Sequence, residues 1–207
     1  MNEKGCFSNE DLLIFLSQLV VSFGLHRPFE SPSARENFSR GNLTKVILEI
    51  KEHMRVTCRL KALYVQGDIH TYLANAAFLP KVIQEKAREF LKSGRFATMA
   101  TLMPWPLPIY GTRAFECLEC VVAINAPHFS SHSYETFAAG ISHELAHIIL
   151  DCIRHPLQKM ETAVDLLTMV LGFADIALAG NFYHEGEEGG LTLAQTKLAH
   201  AEIKRLL

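Results

Sequence analysis

The chain has 207 residues, of which 49% are hydrophobic and 20% are charged, and its formal net charge is −2 at pH 7. This composition is typical of one globular domain, with or without a small appendage. No segment gathers lysines and arginines into the basic patch that binds phosphates, so we expect no direct nucleic-acid partner. The five cysteines are odd in number and scattered through apolar segments, which favours reduced thiols in the cytoplasm and predicts no disulfides.

The apolar segment from Leu12 to Leu25 predicts a first helix, with Ser8 or Asn9 as its N-cap. Acidic rather than basic residues precede this segment, which indicates a core helix and not an export signal. No run of the sequence reaches the roughly 20 apolar residues of a membrane span, so we expect none.

The segment from His26 to Asn42 contains two prolines, three serines and a glycine, which predicts a loop or linker. A domain boundary can fall at its end. We therefore expect residues 1–42 to form an N-terminal helix and linker, and residues 43–207 to form the main domain. In the middle of the chain, apolar periodicity and proline positions predict a helix over Leu43–Met54, a strand over Arg55–Gln66, two helical pieces over Asp68–Gly94 split at Pro80, an extended loop over Met103–Gly111 and a strand over Glu116–Asn125.

The C-terminal half carries the residues suited to chemistry, and it begins with a predicted amphipathic helix. Its apolar stripe consists of residues at steps of three and four: Tyr134, Phe137, Ile141, Leu145, Ile148 and Cys152. His143 and His147 lie one turn apart on another face, where two imidazoles can bind one cation. Glu144 follows the first histidine, and its carboxylate can act as the general base for a water activated by the metal.

A catalytic zinc ion needs a third protein ligand and an open fourth position. Pro156 ends the helix near His155, and Leu157 to Ala179 predicts a second helix that runs back along the first. Counted from this turn, Glu161 and Asp165 lie opposite His147. We favour Glu161 as the third ligand and Asp165 as the acceptor for the second ring nitrogen of a ligand histidine, although either acid could ligate or both could lie on a solvated face.

Three segments of the sequence resemble those of the ImmA/IrrE type of zinc metallopeptidase, and more distantly the HtpX type. These segments are SHELAHIIL from Ser142 to Leu150, ETAVD from Glu161 to Asp165, with Val164 where alanine is usual, and the strand CVVAIN. The resemblance covers about the last hundred residues. It implies a gluzincin in which Glu161 binds Zn²⁺ and Asp165 supports a ligand histidine.

We predict an α+β, zincin-like fold, with a small, mostly antiparallel sheet packed on the active-site helix and a helical C-terminal part. We expect a cytoplasmic peptidase that hydrolyses peptide bonds in a protein substrate, with the strand Glu116–Asn125 pairing with an extended peptide. Tyr183 and His184 are the predicted stabilisers of the oxyanion. The alternative is a non-catalytic binding or regulatory protein on the same scaffold, but such a protein has no need of Glu144.

Overall fold

The structure is a computed structural model that describes residues 8–77, 79, 81–92, 98–103, 107–180 and 190–207. Up to the central strand, the elements are α1 (Asn9–Phe23), α2 (Pro32–Ser39), α3 (Leu43–His53), β1 (Arg59–Val65), α4 (Ile69–Asn75), α5 (Lys81–Lys92), β2 (Met99–Leu102), α6 (Arg113–Cys117) and β3 (Glu119–Asn125). The remaining elements are α7 (Ala126–Ser130), α8 (Tyr134–Cys152), α9 (Glu161–Thr168), α10 (Ala174–Ala179) and α11 (Leu193–Leu206). Helices and a small sheet confirm the predicted α+β class.

Within the described residues, the sheet has three strands in the order β1-β3-β2. β1 pairs with β3 in parallel over seven residues, and β2 pairs with β3 antiparallel over four. The prediction of a mostly antiparallel sheet is therefore wrong, because the sheet is mixed. Three helices and β2 lie between β1 and β3 in the sequence, and a connection of this length allows strands to run parallel. The proposed pairing of Glu116–Asn125 with a peptide is also wrong, because β3 is central and already paired along both edges.

The start of β3 differs from the prediction as well. The predicted strand begins at Glu116, but residues Arg113–Cys117 form α6, and the strand starts at Glu119. The hydroxyl of Thr112 caps this short helix by accepting the amide of Phe115. A side-chain cap of this kind satisfies an amide that the helix leaves free.

The chain divides into two compact units, and the division does not coincide with the predicted boundary at residue 42. The first unit contains Met1–Arg55 and Tyr134–Leu207, and the second contains Val56–Ser133. The N-terminal helices belong with the C-terminal half because α3 packs on α8, and α1 packs on α9 and α11. In the second unit, apolar side chains of the sheet and its helices form one cluster: Val65, Ile69, Leu73, Ala74, Ala87 and Ala123.

Part of the predicted linker is a helix, α2. Ser31 caps it by accepting the amide of Ala34, and Pro32 occupies the first turn, where a missing amide hydrogen costs nothing. The carboxylate of Glu49 in α3 accepts hydrogen bonds from Ser31, Ser33 and Asn37, so the two helices are joined. The same prolines and serines that indicate a loop therefore begin a helix.

The predicted helix over Leu157–Ala179 is interrupted. It begins at Glu161, and the turn Met169–Phe173 widens around two residues with non-helical backbone, Leu171 and Gly172. Glu161–Ala179 is the one described segment long and apolar enough to span a membrane, and 78% of its apolar window is buried inside the protein. Burial of this kind is typical of the core helix of a soluble protein.

The N-terminal region satisfies the backbone groups that this interruption exposes. Three successive carbonyls, those of Val170, Leu171 and Gly172, accept hydrogen bonds from the amide of His26, from Nε2 of His53 and from the amide of Phe29, respectively. A buried carbonyl without a partner costs about 1–3 kcal/mol. The first unit therefore depends on residues from both ends of the chain.

Candidate metal centre

Helix α8 positions two of the predicted ligands. Most of its residues are buried, and His143 is only 7% exposed. The helix ends where Arg154 adopts a left-handed backbone with φ of +55°, and the amide of His155 returns to the carbonyl of Leu150. Pro156 follows and cannot continue the helix. This tight ending allows α9 to return against α8.

His143, His147 and Glu161 meet at one point, as the helical hairpin predicts. Nε2 of His143 lies 3.2 Å from Nε2 of His147, and Oε2 of Glu161 lies 3.3 Å from each of these nitrogens. A tetrahedral zinc ion with ligands about 2.0–2.1 Å away has ligand atoms separated by about 3.3–3.4 Å. The triangle therefore has the dimensions of one face of a zinc coordination sphere, and the group could hold a metal ion.

Asp165 holds the ring of His143 from behind. Its Oδ1 lies 2.8 Å from Nδ1 of His143, and its Oδ2 accepts the backbone amide of Leu191 at 2.9 Å. A carboxylate on Nδ1 keeps the hydrogen on that nitrogen and directs the Nε2 lone pair to the ligand triangle. Leu191 was not predicted, since a backbone donor has no signature in the sequence.

The carboxylates shift the protonation of the cluster. Burial lowers the pKa of His143, but the hydrogen bonds to Asp165 and Glu161, together with the charges of Asp165 and Glu144, prevail and raise it to about 10. Burial raises the pKa of Glu161, yet hydrogen bonds from His143 and His147 hold it well below its usual range. The site therefore stabilises positive charge, which a divalent cation would supply.

The cluster opens to solvent on one side. The side chain of His143 is 8% exposed, that of His147 is 23% exposed and that of Glu161 is 46% exposed. The fourth coordination position that a catalytic ion needs can lie on this open side. Asp151 lies one turn beyond His147, and burial raises the pKa of its carboxyl group. Within the described part of the chain, the side chains of Asp151 and His147 form no hydrogen bond with each other.

The structure tests the other predicted site residues only in part. Glu144 lies next to His143 in α8, close enough for its charge to raise the pKa of that histidine. Tyr183 and His184 lie outside the described residues. Their assignment as oxyanion donors stays a prediction.

Comparisons with known proteins add no assignment. No protein-family profile, curated protein or solved structure matches this chain. The function proposed below therefore rests on the geometry of the site and on the motifs that it contains.

Proposed function

We propose that this protein is a zinc-dependent peptidase whose metal ion is held by His143, His147 and Glu161. The observation that carries the proposal is the triangle of ligand atoms with sides of 3.2, 3.3 and 3.3 Å. Two imidazole nitrogens and one carboxylate oxygen form the donor set of several hydrolytic zinc enzymes, and three protein ligands leave one position open. The resemblance to the ImmA/IrrE type in the segments around these ligands supports the same function.

When bound, zinc would polarise the scissile carbonyl and favour ionisation of an attacking water. The carboxylate of Glu144 takes the proton from that water and passes it to the amine nitrogen as the carbon–nitrogen bond breaks. Asp165 keeps Nδ1 of His143 protonated and its ring in place. We retain Tyr183 and His184 as the proposed donors to the oxyanion. The proposed substrate is a peptide bond in a cytoplasmic protein.

Metal content is the first test. Protein purified after growth with ample zinc should contain about one zinc ion per chain by mass spectrometry. His147→Ala and Glu161→Gln should lose this ion, whereas Glu116→Gln, which changes an exposed side chain of α6 in the second unit, should keep it. Wild-type protein that remains free of zinc would overturn the proposal.

Cleavage is the second test. We expect wild-type protein to cut peptides in a mixture from digested cell extract, detected as new termini by mass spectrometry. Glu144→Gln should retain zinc and lose about 10²–10⁴-fold in rate, because the general base is gone. If this variant cleaves as fast as the wild type, the catalytic assignment is wrong. If zinc-loaded wild type cleaves no peptide, the non-catalytic alternative replaces the peptidase.

A further inference from the structure

A second pair of histidines lies in the other compact unit. His128 is in α7, and His132 follows four residues later. Their ring centroids are 3.9 Å apart and the ring planes differ by 25°, so the rings are stacked. His128 is half-buried and His132 is exposed. We refer to these two residues as the surface histidine pair.

The hydrogen bonds of the pair fix which nitrogen of His132 can bind a metal. Nδ1 of His132 lies 2.6 Å from the carbonyl oxygen of His128. Because a carbonyl can only accept, Nδ1 carries the hydrogen and Nε2 keeps its lone pair. This is the arrangement that backbone carbonyls impose on metal-binding histidines in general.

His128 also offers a lone pair. Burial lowers its pKa, and the charge of His132 lowers it further, so the neutral ring is favoured near pH 7. No hydrogen bond between described residues uses its ring nitrogens. The neighbouring contacts are to its backbone, where its amide donates to Asn125 and the Ser131 hydroxyl donates to its carbonyl.

We propose that the surface histidine pair is a second metal site, specific for nitrogen-preferring divalent transition ions such as Cu²⁺, Ni²⁺ and Zn²⁺. Two imidazoles spaced four residues apart can chelate one ion, with water in the remaining positions. The rings already lie next to each other in the stack. They must open from it until the Nε2 lone pair of His132 and a ring-nitrogen lone pair of His128 point at the ion.

The donor set decides the order of affinities. Imidazole suits Cu²⁺, Ni²⁺ and Zn²⁺, whereas Mg²⁺ and Ca²⁺ require oxygen ligands. With two protein ligands instead of three, the pair should bind more weakly than the centre formed by His143, His147 and Glu161. Among the three ions, Cu²⁺ should bind most tightly.

Titration of zinc-loaded, full-length protein with NiCl₂ tests the proposal. The wild type should bind Ni²⁺ beyond its zinc by calorimetry, and His128→Gln and His132→Gln should each weaken this binding at least tenfold, because chelation needs both rings. His200→Gln is the matched control, since that histidine is also partly exposed but its Nε2 is bonded to Asp175. It should leave Ni²⁺ binding unchanged.

Zinc content and thermal melting of each variant show whether the metal centre and the fold persist. Substoichiometric Cu²⁺ should broaden the ring NMR signals of His128 and His132 before those of other histidines. The proposal is overturned if zinc-loaded wild type binds no Ni²⁺, or if only one of the two substitutions weakens the binding. Either failure leaves the zinc-peptidase proposal untouched, because the two sites share no residue.

Discussion

Replacing Gly172 by alanine tests how the N-terminal region holds the interrupted helix. Gly172 has φ of +99°, which a residue with a side chain adopts only at a cost of about 1–2 kcal/mol. A Cβ at this position would overlap the carbonyl oxygen of Arg27 and lie 2.7 Å from Nε2 of His53. Because packed atoms do not approach so closely, the backbone at Arg27 or Gly172 must move.

We expect Gly172→Ala to lower the free energy of unfolding by about 3–5 kcal/mol, which is the loss from backbone, packing and hydrogen-bond effects minus a smaller gain from the unfolded chain. Relief of the overlap costs about 1–3 kcal/mol. Movement of the Arg27 carbonyl also strains the adjacent bonds from the His26 and Phe29 amides, each worth about 1 kcal/mol. The reduced freedom of the unfolded alanine chain returns about 0.5–1 kcal/mol.

Gly41→Ala is the matched control. Gly41 has a similar φ of +73°, but no described atom lies within 4 Å of its added Cβ. Gly41→Ala should lower the free energy of unfolding by only about 1 kcal/mol, because the cost of the left-handed backbone is partly offset by the reduced freedom of the unfolded chain. Urea titration gives both free energies, and the Gly172 variant should melt roughly 4–16 °C below the Gly41 variant. Equal losses in the two variants would refute the packing argument.

Three further perturbations have definite expected outcomes. Tyr134→Phe should keep or raise stability, by up to about 1 kcal/mol, because the buried hydroxyl has no hydrogen-bond partner among the described residues; a clear loss in urea would contradict this. Burial lowers the pKa of His26 and His53 from 6.5, so the unfolded chain binds more protons than the folded chain as the pH falls. The stability that the two neutral histidines contribute is therefore complete above pH 6.5 and is lost as the pH falls through their folded pKa values. A double variant, His26→Gln with His53→Gln, should have urea midpoints that fall less on acidification, and an unchanged slope would refute the assignment. Asp165→Asn should weaken zinc binding about 10–100-fold in competition with a chelator, since an amide supports the ring of His143 less well, and unchanged affinity would show that the contact is incidental.

Elements that depend on local sequence patterns are predicted well. The helix Leu43–His53 and the two helices on either side of Pro80 are confirmed, because apolar periodicity and a proline act over a few residues. The mixed sheet was not predicted, since strand direction depends on partners far apart in the chain. Helix α2 was missed because Ser31 and Pro32 favour both a loop and the first turn of a helix.

Two properties of the metal centre could be predicted from the sequence, whereas the interruption of the helix that follows α9 could not. The spacing of His143 and His147, and the count across the helical hairpin to Glu161, follow from the pitch of the α-helix. The helix interruption at Gly172 could not be predicted from the sequence, because a single glycine within an apolar run is compatible with a continuous helix. Its partners, the amides of His26 and Phe29, lie more than a hundred residues away and have no sequence signature.

Charge balance explains why this cluster favours a cation. Glu161 and Asp165 both contact the ring of His143, which is buried. An additional proton on this ring offsets part of the negative charge of the carboxylates, so the pKa of His143 is raised to about 10. A divalent ion in the ligand triangle meets the same carboxylates and requires the Nε2 lone pair, so it must displace that proton. Asp165 therefore supports metal binding by orientation but also strengthens the competing proton, and metal affinity should increase with pH for as long as His143 remains protonated in the free protein.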